Sequence, residues 1–330
     1  SCQFNFYLFY LEFSKLKVIN QCKSIMKFAV TGGAGFIGSN IVKNLIKNGH
    51  SVKVIDNLHT GSKKNLKGYL NDIDFCEIDI RNYDELKRNL KDVDGVFHEA
   101  ALTIVQESYL KRDEYFDVNV KGTENIFNIA KEQNFKIVYA SSSSIYGDTK
   151  TIPIKEEFPR KPINPYGQTK LEDEFLAEKI SEENIDVVGL RYFNVYGKGQ
   201  TGTYAGVITK FINKLKENKS PEIFGDGSQI RDFIYVKDVA DANLSAMKSN
   251  VKNGFFNIGT GKTTSIKELA HMMIKIFDKE FEPVFLDPFK GDVKKSQADI
   301  NHTKNKLNWK YKIELSDGLC NFLNKDLRIE

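Results

Sequence analysis

The feature that most constrains this chain is a glycine-rich turn between an apolar strand and a helix, Val30-Thr-Gly-Gly-Ala-Gly-Phe-Ile-Gly38. Its glycines fit GxxGxxG at Gly32, Gly35 and Gly38, and also GxGxxG from Gly33. This pattern provides a tight bend, a backbone bare enough to touch pyrophosphate, and close helix–strand contact. The helix N-terminus adds free amides and the positive end of its dipole. We therefore predict a dinucleotide-binding turn that includes Phe36 and Ile37.

An acidic residue beyond the turn indicates which dinucleotide is bound. Asp56 ends the next apolar run, eighteen residues after Gly38, and is followed by Asn57. A carboxylate at this spacing accepts hydrogen bonds from ribose hydroxyls and would repel a 2′-phosphate, which favours NAD over NADP. Further on, Asp79 and Ile80 could hold the adenine between them; equally, Asp79 could cap the helix that begins near residue 82.

The order of elements predicts an α/β protein. Short apolar runs alternate with helical patterns, which is typical of a parallel sheet covered on both faces. We predict strands at 28–31, 51–55, 75–78, 95–97, 136–140 and 186–190, and helices at 36–48, 83–91, 113–133 and 166–182. Residues 26–191 would form a Rossmann-type doubly wound domain. Glycine-punctuated residues 192–330 would form mainly a smaller, mixed α/β substrate domain, with some segments returning to the first.

Charge and cysteine usage exclude several classes of protein. Of the 330 residues, 48 are basic and 44 are acidic, and their even mixing predicts no nucleic-acid-binding stripe. The four cysteines form no CxxC pair and the five histidines are isolated, so we expect no metal and a reducing cytoplasm.

We also expect no membrane span, because there is no apolar run of about eighteen residues. The aromatic segment before Met26 lacks the features of a signal peptide. We expect residues 1–25 to be a non-native or disordered extension, with a membrane-surface helix as the alternative.

Tyr166 and Lys170 lie four residues apart in Pro165-Tyr-Gly-Gln-Thr-Lys170, hence on one face of a predicted helix. The phenol of a free tyrosine has a pKa near 10, so a tyrosine base at neutral pH needs a nearby cation. Lowering such a pKa by about three units requires about 4 kcal/mol. The same spacing occurs in Tyr83–Lys87 and Tyr146–Lys150. Only Tyr166, however, both lies after the fifth strand and follows a proline at a helix start.

A run of four serines, 141–144, follows the fifth strand. Serine runs commonly form turns. In this position, however, Ser142 could hydrogen-bond the substrate oxygen on which Tyr166 acts.

Together these motifs resemble the extended short-chain dehydrogenase/reductase superfamily and, within it, the UDP-glucose 4-epimerase family. The likeness covers about residues 26–310. It is carried by TGGAGFIGS (31–39), DNL (56–58), DIR (79–81), HEAA (98–101), NVKGT (119–123), SSSSIYGD (141–148), PYGQTK (165–170), LRYFNVYG (190–197), GDGSQIRDFIYVKDV (225–239) and FNIGTG (256–261).

The resemblance implies catalytic roles for Ser142, Tyr166 and Lys170. It implies further NAD contacts from Ala100, Ala101, Asn119, Tyr192 and Phe193, although Phe193 could equally belong to the core. On the substrate side it implies contacts from Asn194, Phe224, Arg231, Asp292 and Ser296. Similar enzymes also form homodimers through helices that correspond to 113–133 and 166–182.

The residues after Ser142 bear on the reaction. Related dehydratases and decarboxylases carry an acid there, whereas this chain has Ser143 and Ser144, neither of which can act as a general acid or base near pH 7. We therefore expect 4-epimerisation of a UDP-hexose, UDP-glucose or UDP-galactose, through a 4-keto intermediate. The alternatives are a UDP-glucuronate 4-epimerase and another NAD-dependent sugar-nucleotide dehydratase or oxidoreductase.

The sequence departs from the family pattern near the end of the substrate region. Where members often carry Arg-x-Gly-Asp, this chain reads Phe289-Lys-Gly-Asp292, so Lys290 could replace a phosphate-binding arginine. The same alignment places Ser296 at the position that limits pocket size. A small residue there leaves room for an N-acetyl group.

Overall fold

The computed structural model describes residues 25–200, 206–288 and 293–326. Its strands are β1 (Lys27–Thr31), β2 (Ser51–Ile55), β3 (Ile73–Cys76), β4 (Gly95–His98), β5 (Lys136–Ser142), β6 (Val187–Tyr192), β7 (Asn194–Tyr196), β8 (Glu222–Phe224), β9 (Ile230–Arg231), β10 (Phe233–Tyr235), β11 (Asn253–Ile258), β12 (Thr264–Ser265) and β13 (Val284–Leu286). The order β11-β6-β5-β4-β1-β2-β3 forms one parallel sheet of seven strands.

The helices are α1 (Phe36–Lys47), α2 (Tyr83–Asn89), α3 (Val105–Leu110), α4 (Arg112–Tyr115), α5 (Gly122–Gln133), α6 (Pro165–Ser181), α7 (Val207–Lys216), α8 (Val236–Lys248), α9 (Ile266–Ile276), α10 (Asn301–Leu307) and α11 (Leu315–Asp326). A widened π-helical turn over 116–121 joins α4 to α5, so the predicted helix 113–133 contains an irregularity. None of the described helices is long and apolar enough to cross a membrane.

Two apolar layers cover the sheet, which confirms the predicted fold class. Side chains of α1 and α8 pack on one face, and those of α2, α5 and α6 pack on the other. A separate core forms among α7, α9 and α11 in the C-terminal part. Residues 236–258 belong to the C-terminal part of the sequence and form α8 and β11. They nevertheless pack on the seven-stranded sheet.

Two boundaries differ from prediction. The third strand spans Ile73–Cys76 rather than 75–78, because its pairing with β2 ends at Cys76. Asp79 therefore lies in the loop beyond the strand. Strand β11 of the seven-stranded sheet was not predicted, although its buried residues continue the core beside β6.

Local signals explain where α6 begins. Pro165 occupies its first turn, and the side chain of Asn164 accepts a hydrogen bond from the Gly167 amide at 2.7 Å. Proline at the first position and asparagine at the N-cap both favour helix initiation. These two residues fix where Tyr166 lies relative to the sheet.

Candidate active site

A cleft with a cavity volume of about 740 Å³ lies at the carboxyl edge of the sheet. The strand order reverses there: β1 is followed outward by β2 and β3, whereas β4 to β6 lie on its other side. Open parallel sheets bind ligands at such a reversal. Predicted residues that line the cleft are Gly32, Gly35, Phe36, Ile37, Gly38, Asp56, Asn57, Asp79, Ile80, Ala100, Ala101, Ser142, Tyr166, Lys170, Tyr192 and Phe193.

The glycine turn has the shape that a dinucleotide phosphate requires. Gly32 has φ of +65°, and a Cβ there would lie 2.7 Å from the Ala100 amide nitrogen. A Cβ at Gly38 would overlap the Gly32 carbonyl oxygen. Gly35 caps α1 without a side chain, and no acid occupies the first turn. The open N-terminus of α1 therefore faces the cleft, as phosphate binding requires.

Asp56 is almost fully buried beside this turn. Its two carboxylate oxygens accept hydrogen bonds from the amides of Ala34 at 2.9 Å and Leu58 at 2.8 Å. Burial raises the pKa of Asp56, and the two amide bonds oppose that shift. The carboxylate thus fastens the glycine turn and borders the cleft, where a ribose can reach it.

Asp79 does not cap the following helix. Asn82 caps α2 instead, through the Glu85 amide. The side chain of Asp79 accepts hydrogen bonds from Arg81 Nε at 2.9 Å and Nη2 at 2.8 Å, which hold its pKa well below the ordinary value. Asn57 donates to the same carboxylate at 2.9 Å. This network shapes the outer end of the cleft.

Two elements, β5 and α6, bring Ser142, Tyr166 and Lys170 to the inner end of the cleft. Ser142 ends β5, and its hydroxyl oxygen accepts bonds from the Ser144 amide at 3.1 Å and the Ser144 hydroxyl at 2.8 Å. The backbone amide of Tyr166 donates to Ser108 Oγ at 3.2 Å. One turn later, Lys170 is buried with 3% of its side chain exposed.

The serine run divides between two faces because side chains alternate along a strand. The hydroxyl of Ser141 donates to the buried Glu174 carboxylate at 2.7 Å. Ser142 lines the cleft, and Ser144 supports it.

Buried polar groups support the site from beneath. Thr123 donates its hydroxyl proton to the Asn119 carbonyl, so His98 Nε2 donates to Thr123 Oγ1 at 2.9 Å. His98 Nδ1 then accepts from Thr31 Oγ1 at 2.6 Å. Burial, with the charge of Lys170, lowers the pKa of His98 to about 3. His98 is therefore neutral and structural.

Asn119, the remaining predicted cofactor residue, is not among the residues that line the cleft. Its side chain is buried, accepts from the Leu102 amide at 2.8 Å and donates to the Leu102 carbonyl at 3.0 Å. It also donates to Thr169 Oγ1 at 3.0 Å. Asn119 thus holds the cleft wall in place rather than forming it.

The predicted substrate residues that the structure describes lie outside this cleft, in the C-terminal part. Asn194 donates to the Asp232 carbonyl at 3.1 Å, and Phe224 ends β8. Arg231 lies in β9, and the Ser296 amide donates to the neighbouring Ile230 carbonyl at 3.2 Å. The structure therefore brings Arg231 and Ser296 near one another, although the sequence separates them.

Three sequence predictions fall outside the described residues. They concern residues 1–24 of the predicted extension, Asp292 and Lys290. Within the described ranges, no group of three or more His, Cys, Asp or Glu residues could hold a metal ion.

Comparison with known proteins identifies the family. The sequence pattern of the "NAD dependent epimerase/dehydratase family" matches residues 28–259. The chain belongs to this family. NAD is therefore the cofactor that the cleft holds, which confirms the sequence prediction.

Relatives within the family include sugar-nucleotide epimerases and a sugar-nucleotide decarboxylase. A putative UDP-glucose 4-epimerase of Methanocaldococcus jannaschii is 42% identical over 300 residues, which cover 89% of this chain and 96% of the relative. A UDP-N-acetyl-alpha-D-glucosaminuronate decarboxylase of Bacillus cytotoxicus is 32% identical over 88% of this chain and 94% of its own length.

Solved structures agree. The UDP-glucose 4-epimerase of Thermotoga maritima with UDP-glucose has a TM-score of 0.87 and 36% identity, over 92% of this chain and 100% of that one. The UDP-N-acetylglucosamine 4-epimerase of Methanobrevibacter ruminantium M1, in complex with UDP-N-acetylmuramic acid, has a TM-score of 0.88 and 35% identity, over 92% and 98%. The chain is an enzyme of this epimerase type, an isomerase.

Sequence reasoning missed two acids at the inner end of the cleft. Glu99 lines the cavity and accepts a hydrogen bond from the Tyr192 hydroxyl at 2.8 Å. Asp173 pairs with Lys170 at 3.1 Å. The spacing of Lys170 and Asp173, three residues on one helix, is the signal that could have revealed the second.

Proposed function

We propose that this enzyme epimerises carbon 4 of a UDP-hexose, with UDP-glucose and UDP-galactose as substrates and room for the N-acetyl forms. One observation carries the proposal: Ser142, Tyr166 and Lys170 line the same end of the NAD cleft, while the positions after Ser142 hold serines. A site without an acid there has a proton acceptor for the 4-hydroxyl but no group for elimination at carbon 5.

The residues divide the chemistry among themselves. Tyr166 accepts the proton of the 4-hydroxyl, and Ser142 holds the same oxygen. Lys170 stabilises the phenolate electrostatically and bonds the ribose next to the nicotinamide. NAD, when bound, would accept the hydride that leaves carbon 4 of the sugar and would return it to the same carbon. Tyr166 then gives its proton back to the 4-oxygen, once the 4-keto sugar has turned its other face.

Substrate selection belongs to the C-terminal part. Arg231 is the proposed diphosphate contact, because a guanidinium fork matches phosphate oxygens. The neighbouring carboxylate of Asp232 accepts hydrogen bonds from the amides of Thr260, Gly261 and Ala298 and from the Thr260 hydroxyl. Ser296 is the small residue that would admit an N-acetyl group.

We also infer a homodimer. Leu110 is 87% exposed, and Phe116 and Phe175 are each 45% exposed. These apolar side chains come from α3, the π-helical turn and α6, which are close in the fold. Burying them against a second copy is favourable, by roughly 25 cal/mol per Å². A cytoplasmic location is part of the same proposal, and the thiols of Cys76 and Cys320 are free.

The direct test incubates purified protein with UDP-glucose, UDP-N-acetylglucosamine and UDP-glucuronate, without added cofactor, and resolves the products. We expect a 4-epimer and no net NADH. Tyr166→Phe should lower kcat by at least a hundredfold, since general-base catalysis contributes about 10²–10⁴-fold.

Tyr83→Phe is the matched control, because Tyr83 has a lysine at the same spacing but lies outside the cleft. Its activity should stay at the wild-type value. A 4-keto-6-deoxy product or release of carbon dioxide would refute the proposal. Epimerisation of UDP-glucuronate alone would show that the proposed reaction is right and that the proposed substrate is wrong.

A further inference from the structure

The proposed catalytic lysine has an acidic partner that the mechanism above does not use. Lys170 Nζ lies 3.1 Å from Asp173 Oδ2, and both side chains are buried, with 3% and 0% exposure. Asp173 Oδ1 is buried and accepts no hydrogen bond from the described residues. The neighbouring Thr123 hydroxyl donates to the Asn119 carbonyl instead. Lys170 is therefore the largest source of this carboxylate's stabilisation, and the nearby Thr123 hydroxyl adds a smaller one.

Other ionisable groups face this pair from each element packed around it. They are Tyr166 and Glu174 from α6, His98 and Glu99 from the end of β4, Tyr139 from β5, and Arg191 and Tyr192 from β6.

His98 and Tyr139 are both neutral near pH 7. His98 is neutral for the reasons given above. Glu174 is paired with Arg191 at 2.8 Å. Burial raises the pKa of Tyr139 well above its ordinary value, and raises that of Glu99 to about 8.

Asp173 differs because burial, opposed by Lys170, raises its pKa only to about 6. For Lys170, burial disfavours the charge, but Asp173 and Tyr166 more than compensate and the pKa is raised. An anionic carboxylate therefore sits against the ammonium under the conditions in which Tyr166 must lose its proton.

We propose that Asp173 is a positioning residue that holds Lys170 in place and, while ionised, offsets part of the ammonium charge that stabilises the Tyr166 phenolate. The inference rests on the proposed function, since it concerns the same base. Asp173 lies two helical turns from Tyr166 and acts on the phenolate through Lys170, which it contacts at 3.1 Å. A like charge within about 4–6 Å shifts a pKa by about 1–3 units, so for this indirect effect we expect no more than the low end, about one pH unit.

The test compares wild type with Asp173→Asn, which preserves shape and an oxygen for Lys170 but removes the charge. Tyrosinate absorbance is titrated against pH with NAD bound, and Tyr166→Phe in each background isolates the signal of Tyr166. This readout needs no substrate. The tyrosinate titration and the acid limb of the kcat profile should both move about one unit to lower pH.

Two further variants keep the inference falsifiable. Glu172→Gln removes a charge from the same helix at a residue whose carboxylate accepts a hydrogen bond from Gln168, and should move neither curve. Asp173→Glu restores the charge and should return both curves toward wild type. If Asp173→Asn does not fold, the neutral Asp173→Ser is interpreted in the same way.

The outcomes separate this inference from the proposed function. A fall in kcat at all pH values with unmoved curves means that Asp173 is structural, and overturns the inference. A shifted tyrosinate titration in a protein that epimerises no sugar nucleotide supports the inference and refutes the proposed function. If the protein epimerises a sugar nucleotide but the tyrosinate titration of Asp173→Asn is unchanged, the proposed function is supported and the inference is refuted.

Discussion

Replacing Glu174 with alanine tests how α6 is held against the sheet. Its fully buried carboxylate accepts Arg191 Nε and Nη2 at 2.8 Å each, Ser141 Oγ at 2.7 Å and Arg160 Nη1 at 3.1 Å. Breaking a buried pair by removing one partner costs about 3–5 kcal/mol. Arg191 keeps bonds to the Tyr146 hydroxyl and a backbone carbonyl, so we expect about 3 kcal/mol less stability.

Urea unfolding followed by circular dichroism measures this loss. Glu172→Ala is the matched control, since it removes a partly exposed acid two residues away on the same helix and should change the unfolding free energy by about 0.5 kcal/mol or less. The double variant Glu174→Leu with Arg191→Met should lose less than the sum of the single losses, because no uncompensated charge stays buried. A loss below about 1 kcal/mol for Glu174→Ala would refute the view that this pair anchors α6.

Three further perturbations follow from the cleft. Gly38→Ala should yield protein with little bound NAD, measured after denaturation, because the added Cβ overlaps the Gly32 carbonyl; normal NAD content would contradict this. Asp56→Asn should reduce the preference for NADH over NADPH in fluorescence titrations, and an unchanged ratio would exclude Asp56 from ribose selection. Burial raises the pKa of Glu99 from 4.5 to about 8, so its stabilising effect is complete below pH 4.5 and is lost as the pH rises to about 8. Glu99→Gln should flatten that decline in urea midpoints; an equally steep decline would assign it to another group.

Much of the architecture could be predicted because it depends on local sequence. The glycine turn, the acid after β2 and the Tyr166–Lys170 spacing are all short-range patterns whose geometry follows from one turn or one helix. The fold class and NAD as cofactor were correct for this reason. The third strand was predicted two residues too late in the sequence. Its apolar pattern extends to residue 78, whereas pairing with β2 stops at Cys76.

The strand β11 shows where local patterns fail. Its place beside β6 joins Asn253 to Val187 and Ile258 to Tyr192, across more than sixty residues of intervening chain. No periodicity within 253–258 specifies that partner. The same applies to Asn119, whose type suited a cofactor contact but whose side chain is used up by the Leu102 backbone and Thr169.

The sequence by itself determined the chemical groups of this enzyme: a phenol and an ammonium one helical turn apart, and glycines where phosphate must approach. Tertiary structure alone decided which charges act on them. Packing of β4, β5 and α5 around α6 removes water from Lys170 and Asp173. This burial strengthens the electrostatic interaction between the ammonium and the carboxylate. Electrostatic strength depends on the surrounding medium, and only the assembled fold creates that medium.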